Sequence, residues 1–431
     1  MKSLLILLTT AAMCLRFVPV SQAKALDPLA FNSAGPLNLG SGTYTIDTGG
    51  PIPRWLDAAS NTVWSGTFFN QGVPTGSNYW GFDPMVAVFD FDSIFIQTNA
   101  TVIVIGSNPL ALLSRGAVTL NGDFNASAKD GGAAVGNLGG TGNGFGGRGG
   151  AGGGKGGDGG VGPEFLSSKG QNGDGPGGGY DGTGAYGGTG GLGSRGNGAG
   201  FGGRGGGGFG GLVPASDYGD LSQFLQGGAG GGGTGIDVFL VKGAAGGGGG
   251  GGVEVGALGT LFIGGRISAQ GGGGGGGSTV LAGGGSGGGF FLHAPEIAFT
   301  SPFATLEASG GSPNGAGGRI LLLTTSGQSV SGRYAVSQGP SGGEPGVLQF
   351  GTLSGYFQLP ALSIQLVSNT SQVRICWPTV TQVGYQLEIN STVGPTGWTV
   401  IGSPTIGDGT TNCVTDSILG SQRFYRLLIH P

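Results

Sequence analysis

Charge is scarce in this chain. Asp, Glu, Lys and Arg make up 9% of 431 residues, with a formal net charge of −4, against a typical ~25% charged. That excludes a basic nucleic-acid surface of the usual kind. It also leaves little material for acid–base chemistry, since His293 and His430 are the only histidines. Helical periodicity of useful length is missing. The best candidate, Asp220 to Gln226, reads as a single turn capped by Asp220 and ended by Gly227. Apolar runs long enough for a membrane helix, ~20 residues, are absent too, and no motif calls for a cofactor or a metal.

The first residues carry the marks of an export signal, expected over residues 1–23. Lys2 supplies the positive start, Leu4 to Leu15 the apolar stretch, and Ser21-Gln22-Ala23 a small-x-small cleavage site. Cys14 invites a lipoprotein reading, but Met13 stands where a small residue belongs. Removing the leader leaves two cysteines, Cys376 and Cys413. An even pair in an exported chain favours a disulfide, and the expected location is extracellular or cell-surface.

What the chain has in excess is glycine, 108 residues against a usual ~7%. It concentrates between Gly131 and Gly288, and Gly246 to Gly252 and Gly271 to Gly277 are pure glycine. Such a segment offers only backbone amides, close approach and tolerance of positive φ. Gly184, Gly187, Gly190, Gly193 and Gly196 fall at every third residue, with Tyr186, Thr189, Leu192 and Arg195 on another constant phase. A period of three fits polyproline-II geometry, and too little proline argues against collagen. Disorder is the rival, because ordering backbone costs ~1–2 kcal/mol per residue while each hydrogen bond returns ~0.5–1.5 kcal/mol. Segments anchored on a β scaffold tip the balance, and partial order is the favoured expectation.

Strand signals surround the glycine. Met85 to Ile105 is rich in β-branched and aromatic residues, and the pattern runs on through Leu110–Leu113, Val118–Leu120 and Phe124–Ala126. The same grammar returns three times, from Val253, from Phe290 and from Arg319, each as short strands closed by glycine. A unit this small cannot bury its own apolar face, so units must stack. The expected fold is all-β: a parallel β-solenoid with three strands per coil, whose glycine-rich insertions leave from one corner. The expected boundaries are a cap with first strands over 24–85, the solenoid over 86–352 with insertions mainly at 131–252 and 271–289, and a small β-sandwich over 360–431. Six short strands with turns such as Asp408-Gly409 support that sandwich.

Val373-Arg-Ile-Cys-Trp377-Pro, Gly384-Tyr-Gln-Leu-Glu388, Gly397-Trp-Thr-Val400 and Gln422-Arg-Phe-Tyr-Arg-Leu427 resemble the terminal fibronectin-III-like module of secreted proteins of environmental Gram-negative bacteria. Phe89-Asp-Phe-Asp-Ser-Ile94, Leu110-Ala-Leu-Leu-Ser-Arg-Gly116 and the glycine-rich strand repeats resemble glycine-rich exported proteins of the same bacteria. The resemblance implies no catalytic residues. It places Cys376 and Cys413 on adjacent strands.

Four motifs bear on function. Gly284-Gly-Ser286-Gly-Gly288 matches a nucleophile elbow, but no helix pattern follows it. Gly153-Gly-Lys-Gly-Gly-Asp158 matches the start of a calcium-binding nonapeptide, without its apolar residue or tandem repeat. Asp90 and Asp92 alternate with Phe89 and Phe91, so both carboxylates are expected on one strand face, as a cation site, an acid pair or a solvated edge. Trp55, Trp64, Tyr79 and Trp80 gather in one glycine-poor insert, as a cap over the first coil or as a sugar-stacking surface.

The functional expectation is an exported structural or adhesive protein without catalysis, meeting extracellular polysaccharide or cell-surface components. Two rivals have discriminators. Three or more charged side chains converging on one solenoid face favour a carbohydrate-active β-helix enzyme. A regular exposed Thr or Ala ladder favours a glycan- or ice-binding module.

Overall fold

The computed structural model describes residues 25–71, 85–136, 144–160, 170–175, 198–201, 204–205, 218–235, 240–276, 281–353, 362–367, 372–379, 384–391, 397–407, 410–417 and 423–430. The leader, Tyr79, Trp80 and the period-three tract from Gly184 to Gly196 lie outside them. The chain is nearly all-β and divides into two compact units, Met1–Tyr356 and Phe357–Pro431. Among the described residues no helix is long and apolar enough to cross a membrane, and Asp220 caps a lone turn through its backbone and side chain.

Besides a two-stranded pairing of Val135–Gly136 with Leu240–Lys242, three large sheets build the first unit, and the chain visits them in the same order on successive circuits. Sheet I receives Met85–Phe91, Leu110–Ser114, Gly252–Ala257, Gly289–His293, Arg319–Thr324 and Val347–Thr352. Sheet II receives Pro36–Leu39, Ser93–Ile96, Val118–Leu120, Leu261–Ile263 and Ile297–Phe299. Sheet III receives Gly42–Asp47, Ala100–Ile105, Asp123–Asn125, Arg266–Ser268, Thr305–Glu307 and Arg333–Ala335. These strands pair in parallel, so like positions of successive circuits stack. Phe89, Leu112, Val255, Leu292, Leu322 and Phe350 form one such ladder, and it faces a core shared by all three sheets. The circuit from Arg319 has no sheet II strand, because Thr325–Gly332 offers that position only Val330 among small and polar residues.

Sheet I is buried on both faces. Its outer face, with Val86, Val88, Leu113, Phe291 and Leu321, is covered by Ala25–Phe31 and by Phe201, Leu221 and Leu225. This explains strands that read as continuous apolar runs.

The glycine segments leave the circuit at one corner. Each runs from the end of a sheet III strand to the start of a sheet I strand: 126–251, 269–288, 308–318 and 336–346. Residues 243–252 lie at the centre of this material. Gly243, Gly246, Gly249 and Gly252 donate to carbonyls of 151–160. Gly247 and Gly250 donate to Gly283 and Ser286, whereas Ala245, Gly248 and Gly251 donate to Gly132, Lys129 and Ala126. The carbonyls of the same segment accept from 147–150, 228–234 and 272–275. Six neighbours thus surround one extended segment, each bonded at every third residue. Ala244 fits its methyl into a small cluster with Ala134 and Ala282, and Ala245 is also accommodated, but from Gly246 on the spacing requires glycine. A Cβ at Gly246 would stand 1.9 Å from the Gly231 carbonyl oxygen, and one at Gly247 2.0 Å from that of Gly272. The hydrogen in its place points at that oxygen, a weak Cα–H···O contact.

The second unit holds two three-stranded antiparallel sheets. One contains Ser363–Leu366, Gln372–Pro378 and Thr411–Ser417; the other contains Thr399–Ile406, Gly384–Asn390 and Phe424–His430. Val373, Ile375, Trp377, Tyr385 and Leu387 from both sheets share one buried cluster. Cys376 and Cys413 oppose each other on neighbouring strands and form the disulfide.

Candidate functional site

Arg54–Leu56 and Thr62–Ser65 extend sheet III antiparallel at its first edge and place Trp55 opposite Trp64. Trp55 is fully buried. Its ring meets those of Trp64, Phe89 and Phe91 edge-on at 5.8–6.0 Å, a geometry favoured by the ring quadrupoles. A ring with no exposed face stacks on no sugar. Trp55 is a lid on the core, with half-buried Trp64 packed against it, so the capping alternative accounts for both residues.

Asp90 and Asp92 do not share a face. The strand Met85–Phe91 ends before Asp92, which is exposed at the corner leading into sheet II. Asp90 lies on the outer face of sheet I, 5% exposed. One of its oxygens meets Arg115 Nε at 3.3 Å, and Arg115 also donates to the Phe31 carbonyl. Burial pushes the Asp90 carboxyl up to about 6, against the pull of Arg115. The adjoining hollow, lined by Asn32, Ser65, Thr67 and Asp90, measures about 30 Å³. That is room for one water and far too little for a sugar ring.

A second buried polar group went unread in the sequence. His293 Nε2 lies 2.8 Å from Glu254 Oε1, and both residues are almost fully buried on the outer face of sheet I. Gly256 makes the room, because a Cβ there would stand 2.2 Å from His293 Cε1. The same Glu254 oxygen accepts the Leu26 amide at 2.8 Å. Burial raises the Asp27 carboxyl, partly offset by the Leu29 amide and by His293. The group ties the segment Ala25–Phe31 onto the sheet and presents no nucleophile. Strand alternation pointed both residues away from the core. Nothing local revealed that this outer face is itself covered.

Ser286 is buried in the glycine bundle. Its hydroxyl accepts the Ala229 amide at 2.9 Å, so it stitches two segments and forms no elbow. Asp158 accepts from the Gly146 amide and pairs with Lys155 at 2.9 Å.

The outward face of sheet III gathers charge. Asp123 and Arg266 lie on successive rungs, Arg333 follows two rungs beyond with Thr305 between, and Glu307 stands two residues along from Thr305. Glu307 Oε2 accepts from Arg266 Nε at 2.9 Å, from Arg266 Nη2 at 2.6 Å and from Gln270 Nε2 at 2.9 Å. This pairing raises the already high pKa of Arg266. Three donors on Oε2, with the Thr305 hydroxyl 3.4 Å from Oε1, commit Glu307 to its own neighbours, whereas a general acid or base must reach the proton of a bound substrate. Thr43 and Thr101 begin a hydroxyl row on this face, but Asp123 and Arg266 interrupt it.

No protein-family model matches this chain, and neither does any curated protein or solved structure.

Proposed function

We propose that this protein is exported and serves outside the cell as a structural or adhesive component, without catalysis. In this reading the three stacked sheets are a parallel β-solenoid and the glycine segments form a polyglycine-II bundle braced against it. The second unit is a fibronectin-III-like sandwich. The observation that carries the proposal is the central segment 243–252 with its six hydrogen-bonded neighbours. A large share of the chain is committed to rigid mass whose polar atoms are already satisfied by backbone. Mass of that kind suits spacing, packing and broad contact with extracellular polysaccharide or cell-surface components. It does not suit turnover.

A second reading, a carbohydrate-active enzyme, is favoured by the charged side chains on sheet III. The saturated Glu307 argues against it. Cell fractionation and an activity assay separate the two. The expected outcome is protein in the surface or medium fraction, and no new reducing ends or unsaturated products from any polysaccharide tested. Depolymerisation that stops on Glu307→Gln or Asp123→Asn would establish the enzyme instead.

A further inference from the structure

The outward face of sheet II carries a feature that neither the core nor the glycine bundle uses. Asn38, Phe95, Thr119, Phe262 and Ala298 stand opposite one another on five successive rungs. Their neighbours in each strand point into the core, as Leu37 and Leu39, Ile94 and Ile96, Leu261 and Ile263 do. Phe95 is 39% exposed and Phe262 half-buried. Parallel strands lie ~4.8 Å apart, so the two phenyl rings occupy one register roughly 9.5 Å from each other, with Thr119 between them. The matching columns of sheet III, by contrast, carry threonine, asparagine, serine, isoleucine and charged residues, and no aromatic ring.

Polar groups flank the rings at the corner just past the strand ends, where Gly40, Gln97, Asn121, Gly264 and Thr300 follow one another on the five circuits. Gly264 leaves space that the Asn121 carboxamide fills, since a Cβ there would stand 2.1 Å from Asn121 Oδ1. The exposed carboxylates near this face are Asp92 and Glu296, and Arg115 is held by Asp90 and the Phe31 carbonyl. The surroundings therefore repel a polyanion and accept a neutral chain rich in hydroxyls.

We propose that this face binds a neutral, extended β-1,4-linked glycan. This rests on the adhesive reading and names its ligand class. A β-1,4-linked chain in its two-fold form presents the same sugar face at every second residue, and its disaccharide repeat is close to the separation of the two rings. Each phenyl offers a flat apolar surface to the axial C–H groups of a sugar, while amides and hydroxyls at the flank take the equatorial hydroxyls.

The test is retention of the mature, full-length protein on microcrystalline cellulose and on chitin. A soluble polyuronate serves as the anionic comparison in affinity electrophoresis. Expected is retention on cellulose or chitin and no retardation by the polyuronate. The Phe95→Ala, Phe262→Ala double variant should lose roughly tenfold or more in affinity. Phe303→Ala, which removes a ring 80% exposed off this face, should bind as the wild type. The variant pair Phe95→Tyr and Phe262→Tyr keeps the rings and should keep binding, which separates loss of the platform from loss of the fold. Failure of the wild type on both solids, or full binding by the double alanine variant, overturns the proposal. If the protein nonetheless coats the cell surface, the adhesive reading survives without this ligand. If it stays inside the cell, that reading fails as well.

Discussion

The sheets and the glycine bundle of the first unit solve the same problem with opposite materials. In the sheets, stacked Leu, Ile, Val and Phe exclude water, and stability follows the apolar area buried. In the bundle there is almost no side chain to bury, so backbone amides and carbonyls satisfy one another at van der Waals range. The difference lies in tolerance. A core of branched side chains relaxes around a deletion at graded cost. A lattice of extended backbones has no free volume to give, so one methyl group displaces a neighbour along its length.

The comparison is broken most directly at its centre. Gly246→Ala or Gly247→Ala should destabilise the first unit by more than ~4 kcal/mol, beyond what an ordinary single substitution does. Gly40→Ala, where a Cβ meets nothing closer than 3.9 Å, should be near neutral. Thermal unfolding measures both. Hydrogen exchange sharpens the point: the amides of 245–251 should exchange as slowly as those of the central sheet strands, though they belong to neither helix nor sheet. Fast exchange there would refute the bundle as a rigid body.

Cys376→Ser with Cys413→Ser comes next in size. Closing a loop of 37 residues stabilises by roughly 3–4 kcal/mol in the chain-entropy account. The loss should appear in unfolding of the second unit and leave the first unchanged. Leu292→Ala, in the shared core of the sheets, should cost about 2–5 kcal/mol, with the spread set by how far the cavity closes.

The smallest effect is one of pH. The Asp90 carboxyl sits at about 6 when folded, above its ordinary 3.8, so the folded state holds the proton more tightly. Its contribution to stability is complete below pH 3.8 and is lost as pH rises through about 6. Asp90→Asn should flatten the fall in melting temperature between about pH 4 and 7. An unchanged slope would mean that Asp90 is not the group responsible.

Much of the architecture was legible because it rests on local pattern. The returning triplets at Val253, Phe290 and Arg319 announced stacked circuits, and variable glycine runs announced insertions at one corner. The pair Cys376 and Cys413 is likewise joined as expected. The site was less legible. Trp55 and Trp64 stood out because they are close in sequence, yet the hairpin that joins them buries Trp55 in the core and packs half-buried Trp64 against it. Asp90 and Asp92 looked alike by alternation and parted because the strand ends between them. Phe95 and Phe262 share a face only because two circuits and a long glycine insertion separate them along the chain.

By itself the sequence determined that this protein is built from β-strands and glycine, since short alternating apolar runs allow little else and glycine alone permits contact between backbones. It also favoured the disulfide, which the register of Cys376 against Cys413 then fixed, and it determined how few charged and histidine side chains there are. Tertiary structure alone decided which outward residues are outside. Glu254 and His293 point away from the core but are buried, because distant segments cover sheet I; Phe95 and half-buried Phe262 point outward from sheet II, where Phe95 stays exposed. Periodicity records on which side of a strand a residue lies, whereas burial depends on what arrives there from elsewhere in the chain.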